Sequence, residues 1–300
     1  MTTNTYTNLA RVRDHLGLNT GAASAQTQDD AVLLNFMGRA SRSIDRYTRR
    51  KFYPRLELRR YDYKNAQKIF LDDDLLELTT LLTQNGACTV ASGVMWLSTG
   101  DNWNRPPYDS IIIDDSSGST LNFSSTTKRA NEVTGIWGYH EDWGNAWVDT
   151  GACLNDAYSA SGTSLGLAGA GSFGAGASDV FGEHPRIAPG DLLKIGEEYF
   201  QVLGGGTSGN ASALVHGFMN GTTAATHASG ASIARFAPEP DIEWATRRLT
   251  GWLFGQKDSN PYTNKTAFIQ LGTIEISVGL ATDVKQKIDR FVRLTIQVSP

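Results

Sequence analysis

Three hundred residues, 40% of them hydrophobic and 19% charged, describe a globular chain with room for one large domain or two ordinary ones. A formal net charge of -4 leaves no global basic footprint, which argues against tight nucleic-acid binding as the main task. Two cysteines, Cys88 and Cys153, form neither a disulfide framework nor a metal-ligand spacing, so both are expected as free thiols. The opening MTTNTYTNLARVRDHLGL has no basic-then-apolar leader pattern, and no apolar run reaches a membrane span of about 18 residues, so a soluble protein is expected.

Thr5 to Leu18 reads as a first helix with Leu9, Val12 and Leu16 on one side, followed by a loop of small and polar residues. Asp29 to Lys51 carries the strongest helical signal. Leu33, Phe36 or Met37, Ala40, Ile44 and Tyr47 recur at steps of three and four and form an apolar stripe. The opposite face is basic, with Arg39, Arg42, Arg46, Arg49 and Arg50, and Asp45 stands four residues before Arg49 as its partner. Asp29 and Asp30 suit the helix start, and Pro54 closes the pattern. Beyond it the period falls to two at Leu56, Leu58 and Tyr61, again at Lys68 to Leu71, and again in LLELTTLLTQNG, where Asn85-Gly86 suits a tight turn. Val90 to Ser98 reads as the returning strand, and Ile111 to Ile113 as another after a Pro-Pro turn.

EVTGIWGYHEDWGNAW gathers Trp137, Tyr139, Trp143 and Trp147, read as a strand whose rings anchor against a sheet or a partner, with Trp137 assigned to the core. From Gly151 to Phe236 the chain turns glycine-rich, with short alternating runs at Leu192 to Ile195, Tyr199 to Leu203 and Ala213 to Phe218, which indicates an inserted β module. Helix returns at Pro238-Glu239-Pro240, with Ile242, Ala245, Leu249 and Trp252 as its buried stripe. The tail reads as a strand, a short helix from Asp283 to Phe291, and a final β-like segment from Arg293 to Val298 suited to pairing with another sheet edge.

Candidate chemistry is thin. Gly169 to Gly174 spells G-x-G-x-x-G, but glycine-rich residues and Pro185 follow, so no helix can open behind it. His15, His140, His184, His216 and His227 show no ligand spacing, so no metal or other cofactor is expected. His140-Glu141-Asp142, Asp72-Asp73-Asp74 and Asp114-Asp115 read as solvated acids of turns rather than as a catalytic group. Asn122, Asn210, Asn220 and Asn264 each begin an N-x-S/T triplet, which matters only in a secreted eukaryotic protein. No catalytic residue is assigned, and the chain is read as a non-enzyme.

The ordered stretches DDAVLLNFMGRASRSIDRYTRRKFYP, IFLDDDLLELTTLLTQNG, NRPPYDSIII, VTGIWGY and DIEWATRRLTGWLF resemble the head-tail connector, or adaptor, proteins of long-tailed bacteriophages, over roughly residues 5–148 and 238–298. The resemblance implies an α+β fold: a helical connector core with a small antiparallel meander, residues 1–148 and 237–300, carrying an inserted all-β module at 149–236. It implies a ring, usually of twelve copies, placed in the virion neck after assembly in the host cytoplasm. Its partners would be the portal of the DNA-filled head, a tail terminator or next neck protein, and passing double-stranded DNA bound without sequence preference. The module, absent from simple members, would reach the major capsid protein or a neighbour. Interface residues are then expected at Arg39, Arg42, Arg46, Arg49, Trp143 and Trp147, and in the C-terminal segment at Arg293, Leu294, Ile296 and Val298. The competing readings are a phage surface or tail-type protein whose glycine-rich module binds a saccharide or the capsid vertex, and a hydrolase using His140 and the nearby acids, against which the absence of a second constellation at catalytic spacing argues.

Overall fold

The computed structural model describes residues 4–18, 29–62, 67–83, 86–88, 95–99, 102–103, 105–113, 128–168, 187–205, 212–217, 219–257 and 280–293. Helix α1 (Leu9–His15) is opened by Asn8, whose side chain accepts the Arg11 backbone N–H at 2.9 Å and so satisfies a donor with no partner inside the helix. Helix α2 (Asp30–Thr48) buries Leu33, Met37, Ala40 and Ile44 on the expected stripe. Asp29 sits at its cap position without a capping bond, and its carboxylate accepts from Lys257 at 2.6 Å instead. The helix ends at Arg49, left-handed at φ 56, rather than at Pro54. One such residue suffices to turn the chain off the helix axis. Helix α3 (Pro240–Gly255), with proline in its first turn, packs on α1, α2 and α4 (Thr282–Ile288).

The first β body contains β1 (Arg55–Tyr61), β2 (Lys68–Thr83), β3 (Gly86–Cys88), β4 (Met95–Thr99), β5 (Asn102–Trp103), β6 (Tyr108–Ile113) and β7 (Asn131–Trp137). Its order is β1-β7-β2-β6-β4-β5, with β3 also on β2, and every pairing is antiparallel. Register shifts, one against β6 and two against β7, let the 16-residue β2 pair with β6 along its first part and with β7 along its second, where β3 lies on its other side. Trp137, Leu75, Leu81, Ile111 and Val133 fill a core that belongs to this sheet alone. Gly86, expected in a turn, instead pairs with Thr83, and Asn85 lies outside the described residues.

The second body contains β8 (Trp147–Leu154), β9 (Ser164–Ala168), β10 (Leu192–Ile195), β11 (Glu198–Gly205), β12 (Ser212–His216) and β13 (Ser232–Phe236), closed in the order β10-β11-β12-β9-β8-β13. Closure removes both sheet edges. Its interior holds Leu165, Leu193, Ile195, Phe200 and Ile233. A third core joins barrel to helices: Tyr199 and Phe236 meet Ile44, Ile242, Ile288 and Phe291. Phe52 is its hub, edge-on to Tyr6, Tyr139 and Phe291 at 5.6 to 5.7 Å.

The expected α+β fold with a helical connector core is overturned. The described residues are mostly β: thirteen strands in two antiparallel sheets, beside four helices, of which α1 and α4 have 7 residues each. Helical periodicity is a local signal and is easily read, whereas β1 and β7 are bonded across a sequence gap such as the 72 residues between Arg60 and Glu132.

Candidate functional site

α2 and β11 face one another across an open groove of about 760 Å³, lined by Leu34, Arg39, Arg42 and Arg46 from the helix and by Val202 and Leu203 from the strand. Register between β11 and β12 shifts between Val202 and Gly204, so Leu203 has no residue opposite it; it stands 43% exposed at the rim. Bulges re-aim side chains in this way. No carboxylate is among the described residues lining the groove.

The arginine face divides in two. Arg39 and Arg46 are exposed and have no carboxylate partner among the described residues; Arg39 lies over the Phe36 ring at 5.7 Å. Arg42 is drawn inward, donating to the Asn4 carbonyl at 2.7 Å and the Tyr53 hydroxyl at 3.2 Å, with Asp45 at 3.2 Å. Burial works against its charge, but Asp45 and the two tyrosines outweigh that and hold its pKa above the usual value. Asp45 therefore does not serve Arg49: it takes Arg42, Lys51 at 3.0 Å and the Tyr6 hydroxyl, which in turn accepts the Phe52 N–H at 3.0 Å. Arg49 is exposed at the helix end.

Trp143 opens a 3-10 turn and Trp147 begins β8; both are half-buried against the junction core. Trp147 packs on Tyr199 at 5.0 Å and on Phe236 at 5.3 Å, both on barrel strands, beside the core that joins barrel to helices. Arg293 turns inward, its backbone N–H on Thr48 and its guanidinium on the Leu71 carbonyl, both across short distances of 2.8 and 2.9 Å. Leu294, Ile296 and Val298 lie outside the described residues, as does the Gly169–Gly174 string.

Asp72, Asp73 and Asp74 are not loop acids. They sit within β2 and meet a belt of arginines: Arg50 on Asp74 at 2.6 Å, Arg55 and Arg59 on Asp73 at 2.6 and 2.9 Å, Arg59 on Asp72 at 3.0 Å. Arg293 reaches Asp73 at 3.6 Å and Asp74 at 3.5 Å. Arg59 also stacks over Trp137 at 4.2 Å. His140 is buried and structural. Its Nδ1 accepts the Asp142 N–H at 3.1 Å, so Nε2–H donates to the Ala237 carbonyl at 2.9 Å and ties the segment after β7 to the start of α3.

Sequence reading missed two features. One is the exposed Leu203, although two adjacent aliphatics followed by Gly204 inside a strand are a bulge signature. The other is a buried pair in the barrel, His227 Nε2–H to Glu198 Oε2 at 2.9 Å, where the same oxygen accepts the Ala225 N–H at 2.9 Å. Beside it a hollow of about 410 Å³ is bordered by Asn155, Asp156 and Ser164, and its aromatic member, Tyr158, is sealed at 6% exposure. A sugar would find no open ring face there to stack on. Among the described residues no group of three or more His, Cys, Asp or Glu is placed to hold a metal ion, and no helix is long and apolar enough to cross a membrane. Comparison with protein-family models, with curated proteins and with solved structures finds nothing that matches this chain.

Proposed function

We propose that the chain is a structural virion protein of a tailed bacteriophage, a ring-forming adaptor that joins the portal of the DNA-filled head to the tail or next neck protein and extends the DNA channel. Its work is assembly rather than bond chemistry. The observation that supports this reading is the α2 face, where Arg39 and Arg46 stand exposed beside a groove lined without carboxylates, while Arg50, Arg55, Arg59 and Arg293 are matched inside the fold. Such a face suits docking onto an acidic protein surface. Facing the channel it would be a hindrance, since each fixed phosphate contact adds counterion-release affinity that resists sliding. Copies of one chain that meet through two different surfaces close into a ring when the rotation allows, which is the geometry an adaptor needs. The reading rests on surface chemistry and on the order of the sequence stretches, not on a helical core.

Adding the purified protein to tailless, DNA-filled heads and imaging them by electron microscopy tests it. An extra ring beneath the portal, sharing its axis, is the expected result. Heads that remain bare at saturating protein would overturn the adaptor role.

A further inference from the structure

We propose that the groove between α2 and β11 is a docking site for an acidic segment of a partner protein that carries an aliphatic anchor. The two walls ask for different things. On the helix wall Arg39, Arg42 and Arg46 fall at spacings of three and four, one above the other on a single face, and they span about 10 Å at 1.5 Å per residue. Of these, Arg42 is already anchored to Asp45, while Arg39 and Arg46 have no carboxylate partner among the described residues. Asp45 itself answers two cations, Arg42 and Lys51, so the helix face keeps a surplus of positive charge.

The strand wall is apolar at Leu203, which the bulge exposes onto the same groove while Val202 is buried in the barrel core, and Leu34 of the helix is a second aliphatic. A nucleic-acid backbone would satisfy the arginines but would lose hydration against the aliphatic wall without return. A peptide offers carboxylates and aliphatic side chains together. Guanidinium forks match carboxylates two bonds at a time, and a buried leucine-type contact supplies the apolar part. This inference rests on α2 being the docking face of the adaptor reading. Its test uses no phage particle, so a failure here and a failure to add a ring to heads are separate results.

The intact protein is titrated against a labelled octapeptide, EELEELEE, by fluorescence anisotropy, beside EEGEEGEE, KKLKKLKK and a short DNA duplex. Binding is expected for EELEELEE, more weakly for EEGEEGEE, and not for KKLKKLKK. Arg39→Glu with Arg46→Glu should weaken EELEELEE at least about tenfold, the equivalent of roughly 1.4 kcal/mol. Leu203→Ser should weaken EELEELEE several-fold and leave EEGEEGEE unchanged. All three side chains are exposed, so circular dichroism of both variants should match the parent. The proposal is overturned if neither acidic peptide binds, if the duplex binds as tightly as EELEELEE, or if Leu203→Ser changes nothing. It is also overturned if the protein self-associates in sedimentation and the double charge reversal abolishes that, because the groove would then hold a second copy.

Discussion

The two β bodies treat charge in opposite ways. The open sheet runs a belt of four arginines, Arg50, Arg55, Arg59 and Arg293, along the three aspartates of β2, and through it ties the end of α2 and the C-terminal Arg293 to strands far away in sequence. The barrel needs no such belt: its strands close on themselves, and its buried carboxylates Asp191 and Glu198 are held singly, Asp191 by Asn8 and the Ala188 N–H and Glu198 by His227 and the Ala225 N–H. An unclosed sheet has to be fastened at its margins, and here ion pairs do it. A closed sheet is fastened by its own hydrogen bonds, so its buried charge only pins a loop. Against both stands the α2 groove, where Arg39 and Arg46 have no acid partner among the described residues.

The sharpest break in this comparison is Asp73→Ala. One carboxylate answers Arg55, Arg59 and Arg293 from a nearly buried position, and removing it leaves three guanidiniums crowded with less compensation. Loss of one partner from a buried pair costs about 3–5 kcal/mol, and the part-buried setting, with Glu57, Asp72 and Asp74 still beside the arginines, puts this one near the lower end, about 3 kcal/mol. Urea unfolding followed by the fluorescence of the chain's seven tryptophans should show that order of loss. A cost near zero would mean the belt only decorates the sheet.

Glu198→Ala is expected to cost less, roughly 1–3 kcal/mol in total, since the two donors it leaves without an acceptor, the Ala225 N–H and the His227 ring N–H, are only part-buried and water replaces part of the bonding. Glu198→Gln keeps an acceptor oxygen and should recover part of the loss. Thermal melts of the two variants separate a hydrogen-bonding role from one that needs the charge: equal losses would assign the pair to charge.

How much of this the sequence shows follows from distance along the chain. The α2 stripe of Leu33, Met37, Ala40 and Ile44 is legible because a helix is built from neighbours. The burial of Trp137 is legible from its size and its alternating strand. Asp72 to Asp74 mislead because three acids in a row look like a turn, and it is the arginines brought to them by the fold, from Arg50 and Arg59 to Arg293, that make a strand there tolerable. Barrel closure is equally remote, since β13 returns to pair with β8 from the far end of the module. The same limit hides the groove. Arg39, Arg42 and Arg46 are equivalent in sequence, yet Arg42 alone is captured, by Asn4, Tyr53 and Asp45.

The smallest expected effect distinguishes the neighbouring acids of the belt. Burial pushes the Asp74 carboxyl above its usual 3.8, against the pull of Arg50 and Arg293 and with Asp73 adding to the rise. The folded protein therefore takes up this proton at a higher pH than the unfolded chain does. As pH falls through the folded value, Asp74 contributes a gain in stability that levels off below about 3.8; as pH rises back through it, that gain is lost. Asp74→Asn keeps the site uncharged throughout. Relative to wild type, the variant should thus be more favourable at pH 7 than at pH 4, in urea midpoints taken at both. Asp191 and Glu239, whose burial raises them as well, are present in both proteins and cancel in the difference. If the difference instead runs toward wild type at pH 7, Asp74 is held as an ion in the way proposed for Asp73. The belt would then act as one unit of three charges, with no gradation from Asp73 to Asp74.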